Sequence, residues 1–98
     1  MHAHINIWQL NEAGESSSDR MARDVADRLR TQPGFHSYSL VRTGDREVVA
    51  ITMFETSAQL HSAIEAVRDV THGNIQHLTA GKPTTRAGDV IFHAEATA

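Results

Sequence analysis

The clearest guide to the fold of this sequence is a pair of β-rich segments on either side of a two-residue turn. Residues 35–43 and 46–55 are rich in β-branched and aromatic side chains, and Gly44 and Asp45 lie between them. A Gly-X pair suits a type II′ hairpin turn, because the first position of that turn has a positive φ. The sequence therefore predicts an antiparallel hairpin in the middle of the chain.

This turn also predicts which side chains share a face of the hairpin. The numbers of paired residues then sum to 89, which sets Arg42 against Glu47, Leu40 against Val49, Tyr38 against Ile51 and His36 against Met53. The face that contains these pairs is bulky. The opposite face has small side chains in its middle, and its members are Phe35, Ser37, Ser39, Val41, Val48, Ala50, Thr52 and Phe54. We expect the small residues to leave room for a ligand.

A strand and a helix are expected before the hairpin. Residues 2–10 alternate with the two-residue period of a strand. The serines at positions 16–18 are candidate N-caps of an amphipathic helix, which Pro33-Gly34 ends. The apolar stripe of this helix recurs at three- and four-residue spacing and consists of Met21, Ala22, Val25, Ala26 and Leu29.

A second helix and a last strand are expected after the hairpin. Thr56 and Gln59 have the spacing of a capping box, and the helix that follows is predicted to run to about His72, with a glycine just after its end. Residues 74–88 contain glycine and proline and are predicted to form a loop, whereas residues 89–97 alternate as a strand. The predicted element order is therefore βαββαβ.

This order is that of an α+β ferredoxin-like sandwich, in which two helices cover one face of a four-stranded antiparallel sheet. We expect a single domain over residues 1–98. The helices cover only one face of the sheet, yet both faces of the predicted hairpin are largely apolar. An uncovered apolar sheet would be a liability on a monomer. We therefore expect a second copy to cover the open face, which would make the protein a homodimer.

The composition excludes several kinds of partner and site. Nine basic and twelve acidic residues give a formal charge of −3, which has the wrong sign for a surface that binds nucleic acid or an anionic membrane. The absence of cysteine excludes disulfides, a thiolate nucleophile and a thiolate-bound metal. The N-terminus lacks the pattern of a signal peptide, and no apolar run is long enough to span a membrane. We expect a cytoplasmic protein without nucleic-acid or membrane partners.

Four short stretches lead into, through or out of the predicted hairpin, namely Pro33-Gly34-Phe35, Leu40-Val41-Arg42, Glu47-Val48-Val49 and Phe54-Glu55-Thr56. Together with the element order, they resemble the antibiotic biosynthesis monooxygenase-like domains of the dimeric α/β-barrel superfamily, which usually have Trp-Glu where this chain has Phe54-Glu55. The resemblance implies that the sheets of two subunits face each other to form an α/β barrel. It also implies candidate activities, because the family includes cofactor-independent oxygenases of aromatic polyketides, quinol oxygenases and haem-degrading monooxygenases.

The resemblance gives one face of the first strand a candidate role. His4, Asn6 and Trp8 present an imidazole, an amide and an indole NH on one surface. In a cofactor-independent oxygenase the substrate anion reduces O2, so the protein must exclude water, hold a base and stabilise an oxyanion. We expect Asn6, Trp8 and His72 to be catalytic, with no cofactor and no metal. The residues expected to bind a small aromatic or hydrophobic substrate are His4, Ser37, Tyr38, Ser39, Thr52 and Phe54.

The second helix has a polar ridge beside its apolar stripe, formed by His61, Glu65, Arg68 and His72. This ridge is close enough to line the mouth of a pocket, although a solvated flank would show the same pattern. His72 is its strongest candidate, because the negative end of the helix dipole favours an imidazolium there.

Three other roles are compatible with the same residues. Haem-degrading members of the family are similar in having an asparagine matched by Asn6 and a histidine matched by His72, but Ala63 stands where they have a tryptophan. A non-catalytic dimer that binds a small molecule is a second alternative. A metal site is the third, because His2 and His4 share a strand face and could take a further ligand from His36, His61, His72, His77 or His93. An N-terminal His-x-His is more often a frayed strand end, so no metal is predicted.

Overall fold

The computed structural model describes residues 1–75 and 78–96, with the side chains of all of these except residues 69–75. Its elements in chain order are β1 (His2–Gln9), α1 (Glu12–Leu29), β2 (Phe35–Gly44), β3 (Glu47–Phe54), α2 (Ser57–Ile75) and β4 (Thr84–Asp89). The four strands form one antiparallel sheet in the order β2-β3-β1-β4. The predicted α+β ferredoxin-like arrangement is confirmed.

The two helices pack on one face of the sheet. Along β3 the even-numbered residues from Val48 to Phe54 are buried, and the odd-numbered ones are only partly buried. Buried residues of both helices form one cluster with Phe54, and this core consists of Met21, Val25, Leu29, Phe54, Leu60, Ala63, Val67 and Leu78. The even-numbered side of β3 therefore faces the helices, and its other side is open.

α1 begins earlier than the sequence predicts. Asn11 is its N-cap, and the Oδ1 atom of Asn11 accepts a hydrogen bond from the backbone N of Gly14 at 2.9 Å. The serines at 16–18 lie inside the helix, so the predicted start among them is wrong. The first turn passes so close to Leu78 that a Cβ at Gly14 would overlap the Leu78 carbonyl. A glycine is therefore needed at this position for packing rather than for its dihedral freedom.

α2 begins where the sequence predicts and ends later. Thr56 Oγ1 accepts a hydrogen bond from the backbone N of Gln59 at 3.1 Å, which is one half of a capping box. The helix continues through Gly73 to Ile75, so this glycine does not follow the helix end. Glycine costs a helix interior only about 1 kcal/mol relative to alanine, which is too little to end a helix by itself. Neither helix, over the described residues, is long and apolar enough to cross a membrane.

The predicted hairpin is present, but its register differs by one residue. Gly44 pairs with Glu47, so Asp45 and Arg46 lie in the turn and Gly44 belongs to β2. A β-bulge at Thr43 follows, so the numbers of most paired residues sum to 90, with Arg42 opposite Val48, Leu40 opposite Ala50, Ser39 opposite Ile51 and Tyr38 opposite Thr52. Successive residues of a strand point to opposite faces, so a shift of one residue exchanges the faces of β2 relative to β3.

The exchange of faces overturns the predicted pairs. Tyr38 and Leu40 lie on the helix side, where they can bury apolar surface, and Ser37, Ser39 and Val41 lie on the open side. His36 does not pair with Met53 but forms a β-bulge, since Phe35 pairs with Phe54 and Ser37 pairs with Met53. Glu47 does not pair with Arg42. Its carboxylate accepts hydrogen bonds from Thr43 Oγ1 at 2.7 Å and from Gln9 Nε2 at 2.8 Å.

The last strand comes earlier in the chain than predicted. All of β4 except Asp89 lies within the predicted loop, and β4 pairs with β1, from Thr84 opposite Ile7 to Asp89 opposite His2. Residues 90–96, predicted as the strand, have no regular secondary structure, and Thr97 lies outside the described residues. The side chains of β4 are exposed and mostly polar, as suits the edge strand of a sheet. An edge strand of this kind lacks the apolar alternation by which strands are found in a sequence.

The open face of the sheet is apolar, as the sequence predicts, although its members differ from the predicted ones. Its apolar residues come from three strands and are Ala3, Ile5, Ile7, Val41, Val49, Ile51 and Met53. Val41 is 44% exposed. In the segment that follows β4, Ile91 is 97% exposed and Phe92 is 83% exposed. A single chain therefore leaves a substantial apolar surface in contact with water.

Candidate functional site

A cavity of about 240 Å³ lies between the sheet and the two helices. Its lining combines apolar side chains of both helices with polar side chains of the sheet, and consists of His4, Asn6, Trp8, Val25, Leu29, Tyr38, Ala50, Thr52, Ile64, Val67 and Arg68. Cavities of this composition are typical of sites for small organic ligands.

The strand register explains why space remains at this point. His4 is paired with Thr52, and Asn6 is paired with Ala50, so small side chains lie beside both polar residues of β1. Tyr38, on β2, is the other neighbour of Thr52 and closes the cavity from that side. The small residues of β3 therefore create the volume, as the sequence predicts, but Tyr38 is the β2 residue that borders it rather than the serines.

Asn6 is oriented by the edge strand. Thr85, its partner on β4, donates a hydrogen bond from Oγ1 to Asn6 Oδ1 at 2.6 Å. This contact makes Oδ1 the acceptor end of the amide, so Nδ2 is the end that can donate to a ligand. The polar edge strand, which the sequence analysis takes for a loop, thus positions a cavity residue.

Burial sets the protonation states of His4 and Tyr38. Partial burial lowers the pKa of His4 below its ordinary value, because the imidazolium loses hydration. Burial raises the pKa of Tyr38 to about 12. At neutral pH the cavity therefore contains an imidazole that can accept a proton and a phenol that can donate a hydrogen bond.

Arg68 supplies positive charge at the edge of the cavity. Its Nη2 atom donates to Glu65 Oε1, one turn earlier on α2, at 2.7 Å. The Arg68 side chain is about half exposed, so this ion pair is weak and leaves guanidinium hydrogens for another acceptor. An anionic group of a bound molecule could take that place.

The structure brings together five of the residues that the sequence analysis proposes for the site, namely His4, Asn6, Trp8, Tyr38 and Thr52. Ser37 and Ser39 lie on the open face, because of the shifted register, and do not border the cavity. Phe54 is fully buried and packs edge-to-face on Phe35, with ring centroids 5.6 Å apart. It is a core residue beside the cavity rather than part of its lining.

The remaining histidines predicted for a site have different environments. The His72 backbone lies in α2, but its side chain is outside the described part of the chain, as is all of His77. His2 Nδ1 lies 3.0 Å from Asp89 Oδ1, and His2, His4 and His61 border a separate hollow beside α2. His36 and His93 lie close to each other, away from the residues that line the cavity.

Several cavity residues are missing from the predicted site. Val25, Leu29, Ala50, Ile64 and Val67 are assigned by the sequence to the core or to a small-residue face, and nothing in the pattern separates a cavity wall from a core. Arg68 does carry a signal, because it belongs to the predicted polar ridge of α2.

The haem alternative gains no support from the described residues. Ala63, which stands where the haem-degrading members have a tryptophan, is fully buried in the core and does not line the cavity. The candidate iron ligand, His72, has a side chain outside the described residues.

No protein-family model and no curated protein matches the sequence. Solved structures match over nearly its whole length. A protein of unknown function from Nitrosomonas europaea, NE2512, has a TM-score of 0.84 at 9% identity, over 99% of this chain and 95% of its own. SnoaB, a cofactor-independent oxygenase from Streptomyces nogalater, has a TM-score of 0.74 at 18% identity, over 98% and 94%. A structure named antibiotic biosynthesis monooxygenase has a TM-score of 0.76 at 17% identity, over 93% and 99%.

Proposed function

We propose that this chain, which has the fold of antibiotic biosynthesis monooxygenase structures, is a monooxygenase that oxidises a small aromatic phenol or quinol without a cofactor. The observation that supports the proposal is the convergence of neutral polar groups and one cation on a largely apolar cavity. The proton acceptor is His4, the hydrogen-bond donors are Asn6, Trp8 and Tyr38, and the cation is Arg68.

The reaction requires little of the protein beyond control of one proton and one negative charge. A ring CH₂ made acidic by a neighbouring carbonyl, as in the keto tautomer of a phenol or quinol, loses its proton to His4. The carbanion gives one electron to O2, the two radicals combine in a C–O bond, the peroxide anion takes the proton back from His4, and the resulting hydroperoxide loses water. For a CH₂ group one oxygen atom of O2 becomes the product carbonyl and the other leaves as water.

The cavity is suited to the charge that develops in this sequence. Donors from Asn6 Nδ2, the Trp8 indole and the Tyr38 hydroxyl can face the oxyanion of the substrate, and Arg68 can attract it to the mouth. Burial disfavours an isolated imidazolium at His4, so the proton is best held there when the substrate anion lies next to it. His72 is a second candidate proton acceptor on the same helix as Arg68.

The proposal is tested by O2 consumption in buffer treated with a chelating resin, with a panel of anthrones and quinols as substrates. We expect turnover by the wild type, and a loss of about 10²-fold in His4→Gln, because general acid–base catalysis contributes factors of that size. Asn6→Ala and Trp8→Phe are expected to lose activity as well. Ser39→Ala, on the open face, is the control and should retain full activity.

Two outcomes would contradict the proposal. If the panel binds, as seen by quenching of Trp8 fluorescence, but no O2 is consumed, the protein is a binding dimer without catalysis. If activity appears only after haem is added and survives in His4→Gln, the cofactor-free reaction is wrong.

We also propose that a second copy of this chain is the partner that covers the open face. The support for this proposal is the apolar surface of seven strand residues, Ala3, Ile5, Ile7, Val41, Val49, Ile51 and Met53, together with the exposed Ile91 and Phe92. Exposed apolar patches of this kind mark association surfaces.

A further inference from the structure

Two histidines and a glutamate meet at the start of β2, away from the cavity. His36 Nε2 lies 3.2 Å from Glu95 Oε1, and His93 Nε2 lies 3.2 Å from the same oxygen. The two imidazole rings are nearly perpendicular, with centroids 5.0 Å apart. One ligand atom from each residue lies within 4.8 Å of the other two, and no other such group of three occurs among the described residues.

Two features of the backbone bring these side chains together. The β-bulge leaves His36 without a partner on β3, and bulges of this kind redirect a side chain away from its place in the ladder. His93 and Glu95 are two residues apart in the segment that follows β4, so in an extended chain they project to the same side. The backbone N of Val90 donates to the Met1 carbonyl at 2.9 Å, which fixes the start of this segment beside β1.

The N···O distances among the three residues lie just below those between the ligands of a bound zinc ion. Nitrogen and oxygen ligands lie about 2.0–2.2 Å from a zinc ion, which in a tetrahedral site places neighbouring ligand atoms roughly 3.3–3.6 Å apart. Both observed N···O distances are 3.2 Å. Both imidazole nitrogens are directed at one carboxylate oxygen, so the donor atoms of all three residues already converge on one point.

The exposure of the three residues also suits a metal site. The side chains of His36 and His93 are 26% and 32% exposed, and that of Glu95 is 66% exposed. An ion can therefore reach the site from solvent while the imidazoles are held by their surroundings. His36 Nδ1 lies 3.2 Å from Ser37 Oγ, a contact that can orient the ring from its other nitrogen.

We propose that His36, His93 and Glu95 bind a divalent transition-metal ion, with Zn²⁺ as the best fit to two imidazoles and one carboxylate. Three protein ligands leave a fourth position to water. β2 and β4 are the two edge strands of the sheet. The bound ion joins the segment that follows β4 to the first residues of β2. Its role is to hold residues 90–96 in place, and it is independent of the proposed oxygenase reaction.

The test is calorimetric titration of untagged protein, dialysed against a chelator, with Zn²⁺ alone. We expect one ion per chain and at least about tenfold weaker binding in His36→Ala and in His93→Ala. His61→Ala removes an exposed histidine of α2 and should bind Zn²⁺ like the wild type. Mg²⁺ should not bind, because it prefers sites made of oxygen ligands.

A second measurement separates this site from scattered binding to surface histidines. Zn²⁺ should raise the thermal unfolding midpoint of the wild type and leave that of His93→Ala unchanged. His93 lies beyond the last strand and outside the core, so its replacement should not prevent folding. The proposal is overturned if Zn²⁺ does not bind, or if wild type, His93→Ala and His61→Ala bind it equally.

Discussion

Tyr38 and His4 border the same cavity, and burial moves their pKa values in opposite directions. In both residues the charged form is the one that loses hydration, so both stay neutral near pH 7. A tyrosine side chain can act as a base or as a hydrogen-bond donor, and the residue type alone does not decide between the two. The raised pKa suits Tyr38 to the donor role in the proposed reaction, in which His4 is the proposed proton acceptor.

The pKa of Tyr38 can be measured directly, because it is the only tyrosine in the chain. We expect its near-ultraviolet tyrosinate absorbance to appear at about pH 12 in the folded protein. In denaturant the same transition should appear at about pH 10. The folded state then binds the proton more tightly, so the stability from this residue is complete below about pH 10 and is lost as the pH rises towards 12.

Circular dichroism recorded over the same pH range shows whether the chain is still folded at each point. The matched control is Tyr38→Phe, which should fold and give no tyrosinate signal. Ionisation near pH 10 in a chain with unchanged circular dichroism would mean that the hydroxyl is solvated, and the donor role would lose its support.

At the scale of elements, α1 depends on a glycine that helix propensity alone would disfavour. Gly14→Ala should raise helix propensity by about 1 kcal/mol, but its Cβ would overlap the Leu78 carbonyl. Because that atom belongs to the backbone, the overlap cannot be relieved by a side-chain rotation. We expect a net loss of about 1–3 kcal/mol in the free energy of unfolding, measured by urea denaturation.

The control for this prediction is Ser16→Ala, at an exposed position of the same helix. This substitution also raises helix propensity but introduces no steric overlap. The free energy of unfolding of the variant should therefore rise by a few tenths of a kcal/mol or stay the same. A Gly14→Ala variant as stable as Ser16→Ala would show that α1 and residue 78 can move apart at little cost.

The elements also show what the sequence could predict and what it could not. Residue periodicity identifies β1, α1, α2 and the hairpin, because each has one face in the core. It also places His4, Asn6 and Trp8 together, since alternate residues of one strand share a face whatever the strand pairs with.

The register of β2 required information that periodicity does not contain. Asp45-Arg46 forms the turn in place of Gly44-Asp45, which alone would keep the faces of β2, but the β-bulge at Thr43 then exchanges Tyr38 for Ser37 and Ser39 at the cavity. The sequence also does not predict β4. All residues of this edge strand are exposed, so it has no buried face that would produce an alternation of apolar and polar residues. The approach of His93 to His36 depends on tertiary structure alone.

At the scale of the whole molecule, the sheet has one face covered by the two helices and one face that no helix or strand of the described residues covers. Seven apolar strand residues lie on that open face, and the apolar Ile91 and Phe92 are exposed in the segment after β4. Moving such side chains out of water contributes roughly 25 cal/mol for each square ångström that is covered. A second copy would therefore be stabilised by the same apolar burial that holds the helices to the other face.

Val41→Arg tests this expectation with little risk to the fold, because Val41 is already 44% exposed in the single chain. In sedimentation experiments at micromolar concentration we expect a wild-type particle with about twice the 10.8 kDa mass of one chain. The variant should sediment as a single chain with unchanged circular dichroism, because association would bury an unpaired guanidinium. Ser16→Arg adds the same charge to α1, outside the open face, and should leave the dimer intact. If the wild type sediments as a single folded chain, or if Val41→Arg still dimerises, the open face is not covered in the way that we propose.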